Sequence, residues 1–452
     1  MDQPSQSIAD RYRVDLPPSW RNWFDRDALQ LEFAGEFRTP STADSLLEHA
    51  PANIWPGLML PDTLPVIGND YGDWICVRVD DADRFSELLH WYHGGGDWIP
   101  VGEQVAEAVL HDAIDQFRPQ PRQVLRGAPE ITSTDHQADV VTRLHSPDMS
   151  KWLTSSLPAT TIAQDAKSSK LQTIFNALTT SDHALALQTM LDAGWARFAS
   201  VCDRVEAALQ NSTRTLTRHE IPQQLGMNWE PDYMRWLFDT SQIPQDALQQ
   251  IHEILHASGA QSPLEQQDWF TAEKLAKEVS TQRQDLGWTF EVAGWAAMRR
   301  GDTASAAQIF FRGRYASAFS DQSVRMRTHW FEQQFGKFSI AQLWLVRDQL
   351  SVSDREDPYL QTVWQTPSRL VQREVQNFWV AKGKEEMRQG NFSAAYQSFY
   401  NAGWDLGAQR MTDYLDILML LVESAEAAGW KARAAVAATH LACLSKSMLP
   451  RN

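Results

Sequence analysis

Apolar and polar positions divide this chain into two regimes. In the first quarter, short aromatic and β-branched runs alternate with turns rich in glycine and aspartate. From Met149 onward, apolar residues recur at spacings of three and four, the period of a helix. The densest passage is Leu64–Phe117. Within it Trp74–Val79 (WICVRV) follows the turn signal Gly68-Asn69-Asp70-Tyr71-Gly72-Asp73, which predicts a strand entered through a glycine turn. Leu88–Tyr92 predicts a second short strand, and Gly94-Gly95-Gly96 supplies freedom for φ > 0 after it. Val105, Val109 and Ala113 with Leu110, Ile114 and Phe117 then predict a helix. Upstream, Ile8–Phe24 predicts a short helix, a turn at Leu16-Pro17-Pro18, and a second helix with Trp20, Trp23 and Phe24 inward. Leu29–Phe37 predicts a strand. The stretch from there to Leu60 is otherwise irregular and carries Ile54-Trp55-Pro56-Gly57.

The second regime begins after a linker. Arg118–Pro147 holds Pro119, Pro121, Pro129 and Pro147 among polar residues with little periodicity, so it is expected to be partly extended. Helices are expected at Leu171–Leu178, His183–Leu191, Ala196–Leu209, Tyr233–Phe238 and Asp246–His256. Further on, Gly301, Gly336, Gly390 and Gly429 are each followed five residues later by an alanine: Ala306, Ala341, Ala395 and Ala434. Nine residues after each glycine stand Phe310, Leu345, Phe399 and Ala438. Gly294 and Gly383 precede the first and third copies by seven residues, and Phe290 and Trp379 by eleven. Gly194-Trp195 with Ala199 is a candidate degenerate copy. This resembles the tetratricopeptide (TPR) pattern, in which a glycine turn joins two helices and small residues allow close contact. The glycine spacings are 35, 54 and 39 residues, so only the first interval fits a regular repeat. A stack of helical hairpins with insertions is the expectation, and an unrelated helical domain with glycine turns is the alternative. The expected fold is therefore α+β, with an antiparallel sheet and helices, followed by an all-α region. The expected segments are 8–117 (binding domain), 118–149 (linker), 150–285 (helical) and 286–447 (TPR-like repeats).

Residues of the first segment resemble the SUKH superfamily, which includes the fungal Smi/Knr-type regulators of cell-wall synthesis and many bacterial proteins. The first shared part is a helix, a leucine-proline and an aromatic helix: Leu16, Pro17, Trp20 and Trp23. The second is a leucine-proline strand, an acidic glycine turn and a hydrophobic strand: Leu64, Pro65, Gly72, Asp73, Trp74 and Cys76. The third is a strand with a histidine, a turn and an amphipathic helix, His90–Phe117. The link Ala28–Gly57 is longer than the family pattern. The resemblance covers about a quarter of the chain. It implies an α+β binding domain without catalytic activity, and in bacteria often an immunity protein that neutralises a cognate toxin, frequently a nuclease.

Charge sharpens this picture. The 452 residues carry a formal net charge of −16, which argues against nucleic acid or anionic lipid as a primary partner. Ile8–Phe117 alone holds 20 acidic and 7 basic residues. That bias suits either solubility or the steering of a basic protein partner. Candidate contact residues are Asp70, Asp73, Trp74, Asp80, Asp81, Asp83, Trp91, Asp97 and Trp98, since aromatic anchors beside carboxylates suit an interface. Most of these rings are expected in the core, with one or two exposed. Cys76, Cys202 and Cys443 lie far apart without ligand spacing, so free thiols in a reducing cytoplasm are expected. The polar start Met1–Asp10 predicts no secretory signal. Tyr414–Val422, broken by Asp416, is too short to span a membrane.

Two motifs invite a catalytic interpretation. His252-Glu253-Ile254-Leu255-His256 is an HExxH, whose histidines would share a helix face and a zinc while Glu253 activates water. Its third ligand is missing: Ser262 occupies the expected place, and Glu273 and Glu278 are the nearest downstream carboxylates. The competing interpretation is a histidine pair on an amphipathic helix with Ile251, Ile254 and Leu255 facing inward. His93-Gly94-Gly95-Gly96 spells an esterase oxyanion loop, but no GxSxG nucleophile elbow accompanies it, so a turn is expected. There is no P-loop and no GxGxxG, and Asp80, Asp81 and Asp83 lack calcium-loop spacing. The expectation is a non-enzymatic binding protein that uses no cofactor or metal. A cytoplasmic adaptor is the first alternative and a zinc peptidase the second.

Overall fold

The structure, a computed structural model, describes residues 3–25, 31–93, 97–118, 134–158, 164–209, 253, 268–320 and 335–448. Helices α1 (Pro4–Tyr12) and α2 (Pro18–Asp25) each carry a proline in the first turn, where its missing N–H breaks no helical bond. Trp20 and Trp23 are buried as expected, and Phe24 is partly buried against the same core. The strand expected at Leu29–Phe37 does not form over 31–37. Phe33, Ala34 and Phe37 are buried there, but the Phe37 N–H donates to Asp112 Oδ2 at 3.0 Å instead of to a ladder. Strand β1 (Thr39–Pro40) follows, then helix α3 (Ala43–Leu47), whose Thr42 cap accepts from the Ser45 N–H.

Strands β2 (Thr63–Gly68), β3 (Trp74–Val79), β4 (Phe85–Tyr92) and β5 (Asp97–Gly102) complete one antiparallel sheet in the order β1-β2-β3-β4-β5. Proline position explains what the sequence pattern hid. Pro100 argues against a central strand, and β5 tolerates it because β5 is an edge. Pro65 stands where the β2–β3 register shifts. Every residue of β2 is buried, as are five consecutive residues at the end of β4. Such runs require cover on both faces. Helix α4 (Val105–Asp115) packs against β4 and β5. On the other side Trp91 Nε1 donates to the Leu58 carbonyl at 3.2 Å, where Met59 and Leu60 are buried.

The segment expected to be a linker holds helix α5 (Thr134–Leu144) and the start of α6 (Pro147–Ser156). Pro147 lies in the first turn of α6 behind the Ser146 cap, a position where proline favours a helix rather than ending one. Helices α7 (Gln164–Thr179), α8 (His183–Asp192) and α9 (Arg197–Leu209) sit where the periodicity predicts. The helices expected at Tyr233–Phe238 and Asp246–His256 lie outside the described residues, Glu253 apart. Beyond them come α10 (Trp269–Ser280), α11 (Gly287–Arg299), α12 (Thr303–Arg312), α13 (Phe338–Leu345), α14 (Val352–Arg355) and α15 (Pro358–Gln365). The last four are α16 (Val371–Arg388), α17 (Phe392–Trp404), α18 (Asp413–Ala428) and α19 (Lys431–Met448).

Three hairpins, α11–α12, α16–α17 and α18–α19, turn at Gly301, Gly390 and Gly429, with φ of 77°, 76° and 80°. That left-handed region is one only glycine enters without strain. The first two share a packing device. A Cβ on Gly294 would come within 2.3 Å of the Phe310 ring, and one on Gly383 within 2.5 Å of the Phe399 ring. The Gly336 copy departs from this, because Leu345 is 67% exposed where Phe310 and Phe399 are buried. All three cysteines are buried and free, and no described helix is long and apolar enough to cross a membrane.

The chain forms two compact units, residues 1–200 with 372–452, and residues 201–371. The last helices therefore belong to the unit of the sheet, a grouping that differs from the expected 8–117 and 286–447 segments. The reason is side-chain and backbone docking. Ala432, Val436 and Cys443 of α19 join the core of α1, α4 and the sheet. The Ala432 N–H donates to Asp83 Oδ1 at 2.8 Å, and Arg433 Nε to the Val79 carbonyl at 3.3 Å. Cys443 Sγ lies 3.4 Å from the Pro51 carbonyl. From α17, Trp404 Nε1 donates to the Met59 carbonyl at 3.1 Å.

His440 completes the docking and makes it sensitive to acid. Its Nε2 lies 2.8 Å from the Thr63 carbonyl, and the residue is fully buried. Burial pushes its pKa down to about 4, against the opposing pull of the Thr63 carbonyl and Asp62. His183 is pushed down to about 4, chiefly by burial and then by Arg118. An unfolded histidine titrates near pH ~6.5, so on acidification the unfolded chain takes up the proton first. Stability present above that pH is lost as pH falls towards about 4. The melting temperature should therefore drop between pH 7 and 5. It should drop less in His440→Gln, whose amide still donates to Thr63; parallel curves would refute the assignment.

Candidate functional site

Two turns meet at one end of the sheet. In the β2–β3 turn, Asn69 Oδ1 accepts from the Tyr71 N–H at 3.0 Å and the Asp73 N–H at 2.8 Å, a side chain standing in for a backbone turn. Gly72 takes φ of 92°. This points Asp73 across to the end of β4. Asp73 Oδ1 accepts from the His93 N–H at 2.9 Å and lies 2.8 Å from His93 Nδ1. Asn69 Nδ2 bridges Asp73 Oδ2 at 3.2 Å and Glu36 Oε1 at 2.6 Å. Asp73 and Asn69 thus staple the two hairpin ends and the irregular 31–37 segment together.

Around this staple the surface is aromatic. The Trp55 ring centroid is 5.8 Å from that of His93, and Trp55 and Tyr71 are 41% and 49% exposed. Met411, 45% exposed, reaches within 3.1 Å of where a Gly57 Cβ would stand, two residues from Trp55. Asp73 occupies the Nδ1 side of the His93 ring, and no hydrogen bond among the described residues engages its Nε2. No serine, threonine or cysteine among the described residues hydrogen-bonds to it. Gly94–Gly96 lie outside the described residues.

Behind the surface sits a carboxyl pair that pattern reading missed. Asp112 Oδ2 lies 1.9 Å from the position of a Gly35 Cβ, so that carboxyl fits only over a glycine. Burial pushes the pKa of Asp112 up to about 7, offset in part by the Phe37 and Glu36 N–H groups. Glu36 rises to about 9, from burial first and then the charges of Asp112 and Asp73. The available signal was the single glycine within Phe33-Ala-Gly-Glu-Phe37, an apolar run interrupted where a backbone must be approached closely.

The nine expected contact residues do not form one surface. Asp70 is exposed at the turn, while Asp73 is buried and already bonded. Trp74, half-buried, lies over Gly68. Trp91 pairs with both Trp74 and Trp98 in register, and Trp91 and Trp98 are core, not anchors. Asp97 opens β5 opposite Tyr92. Asp80, Asp81 and Asp83 lie beyond the far end of β3, about 20 Å away at the usual rise per residue. There Asp80 binds Arg84 at 2.9 Å and Asp83 caps α19, leaving Asp81 exposed. This acidic cluster meets the chain's own helix.

His252 and His256 lie outside the described residues, as does Ser262. Glu273, the nearest candidate third ligand, is buried in α10 and paired with Lys277 at 2.6 Å and Arg300 at 2.9 Å; Glu278 is exposed. Among the described residues no group of histidine, cysteine and carboxylate side chains is arranged to hold a metal ion. No family model matches the chain, and no curated protein or solved structure does either.

The carboxyl pair yields a pH-dependent outcome opposite in sign to that of His440. Glu36 is held protonated well above its unfolded value, so its contribution is present at low pH and lost as pH rises towards about 9. Glu36→Gln keeps the acceptor for Asn69 without the charge. It should stabilise the chain by about 1–2 kcal/mol at high pH and by little near pH 4. Denaturant unfolding at several pH values measures this, and a variant less stable at pH 9 would contradict it.

Proposed function

We propose that this chain is a non-catalytic protein-binding protein of the SUKH type that captures a basic protein partner stoichiometrically. The observation that carries this reading is the exposed ring set of Trp55, Tyr71 and His93, gathered at the open end of an acidic domain. Aromatic side chains held in place by a bonded second layer are the usual anchors of an interface, and carboxylates beside them speed the approach of a cation-rich partner. The order of elements supports the SUKH comparison: a helix, the Leu16-Pro17 turn, an aromatic helix, then the antiparallel sheet and α4. The glycine hairpins with their Gly294–Phe310 and Gly383–Phe399 contacts support the TPR-like comparison for the helical part.

Within this class the favoured role is immunity, in which the bound partner is a nuclease-like toxin whose active surface is covered. An adaptor role is the second reading, favoured by the long helical portion, which simple inhibition does not require. The zinc-peptidase reading loses support from Glu273, whose carboxylate is already held by Lys277 and Arg300.

The test uses the full chain as bait, with Trp55→Ala/Tyr71→Ala as the comparison. A basic protein retained by the wild-type chain should bind at least about tenfold more weakly to the double variant, and its affinity should fall as salt rises. If that partner is a nuclease silenced at equimolar ratio, immunity is supported; if its activity persists in the complex, the adaptor role is. Partners indifferent to both rings and to salt would overturn the proposed surface.

A further inference from the structure

Away from the His93 surface, a cleft of 540 Å³ opens between α2, the first turn of α4 and the last turn of α6. That volume lies within the range of small-molecule sites. Three indoles line it, those of Trp20, Trp23 and Trp152. Trp23 and Trp152 stand 6.4 Å apart at 45°, with Phe33 behind them at 6.0 and 6.3 Å. The rest of the described lining is uncharged, with apolar Leu31, Val105 and Ala106 beside the polar Asn22, Gln104 and Ser156, which come from three different elements.

Elsewhere in the same unit four tryptophans give the indole N–H to the chain itself, Trp91 to Leu58, Trp195 to Pro158, Trp379 to Asp405 and Trp404 to Met59, whereas Trp74 and Trp98 leave theirs buried without a partner. Among the described residues no hydrogen bond engages the indole N–H of Trp20, Trp23 or Trp152. An indole N–H in a largely apolar place normally finds an acceptor. Three donors without one, beside amide and hydroxyl side chains able to give or accept, describe a site complementary to a flat ligand with acceptor atoms. A charged ligand would lose its hydration there with no ionised partner among the described lining residues.

We propose that this cleft binds a small, neutral, planar molecule, typically heteroaromatic, stacked among the three tryptophans with ring acceptors facing the indole N–H groups. The proposal stands independently of the protein-binding role, since it uses different helices and a different class of ligand.

Saturation-transfer NMR on the full chain at pH 8 tests it, with quinoline as the neutral probe and 2-naphthoate as its anionic counterpart. Quinoline should show transfer from the wild-type protein and bind about tenfold more tightly than 2-naphthoate. Two variants each place an indole in the cleft from opposite walls, Asn22→Trp on α2 and Ser156→Trp on α6. Each variant that melts like the wild-type chain should lose the quinoline signal. No transfer up to about 10 mM probe, a signal unchanged in the folded variants, or naphthoate binding as tightly as quinoline would overturn the proposal.

Discussion

The docking of α19 against the first domain is the constraint on which the remainder of the sheet unit depends. Five of its residues reach backbone or side-chain groups more than 340 positions earlier: Ala432 to Asp83, Arg433 to Val79, His440 to Thr63, Cys443 to Pro51 and Lys446 to Ala50. Between these contacts Ala432 and Val436 enter the same apolar core as Ile8, Tyr12 and Val79. All of these partners but Asp83 are backbone carbonyl oxygens, those of Thr63 and Val79 at strand ends. Asp83 does the converse and satisfies one of the free N–H groups in the first turn of α19, a cap worth about 1 kcal/mol. A β-sheet with consecutive buried residues cannot leave a face open, and helices from the far end of the chain help close it.

This arrangement decides which end of the sheet is available. The β3–β4 hairpin is spent on α19, whose first turn Asp83 caps while Asp80 holds Arg84 within the hairpin. The β2–β3 turn and the end of β4 meet at the other end, with Asp73 and Asn69 binding them to each other. What remains outward is Trp55, Tyr71, Asp70 and one edge of His93. The electrostatics follow the same division. At the hairpin Asp80 and Asp83 are partnered, whereas Glu36 and Asp112 lie behind the open end, carrying pKa values raised by burial.

Much of the backbone was legible in the pattern of residues, and the parts that were not have identifiable causes. Strand β3 showed itself through WICVRV and its glycine turn, and α4 through its apolar periodicity. Strand β5 was hidden by Pro100, whose cost vanishes at an edge that no local pattern marks. The helices in 134–156 were hidden by prolines, of which Pro147 starts a helix. The candidate site was legible only in fragments. Asp70, Asp73 and the histidine-glycine turn were visible in the sequence, but exposure was not. Trp91 and Trp98 look like Trp55 and Tyr71 until both sheet faces are known to be covered. Asp83 looked like a contact for another protein because its partner, Ala432, lies 349 positions away, beyond the reach of any spacing argument.

The most direct test of this integrated unit is native-state hydrogen exchange on the full chain. If α19 is part of the sheet's own fold, the amides of Ala432–Cys443 and those of β2 and β3 open with one common free energy. Asp83→Ala would then lower both together. Rapid exchange throughout α19 while β3 stays protected would contradict the account, showing that the sheet stands without its C-terminal helix.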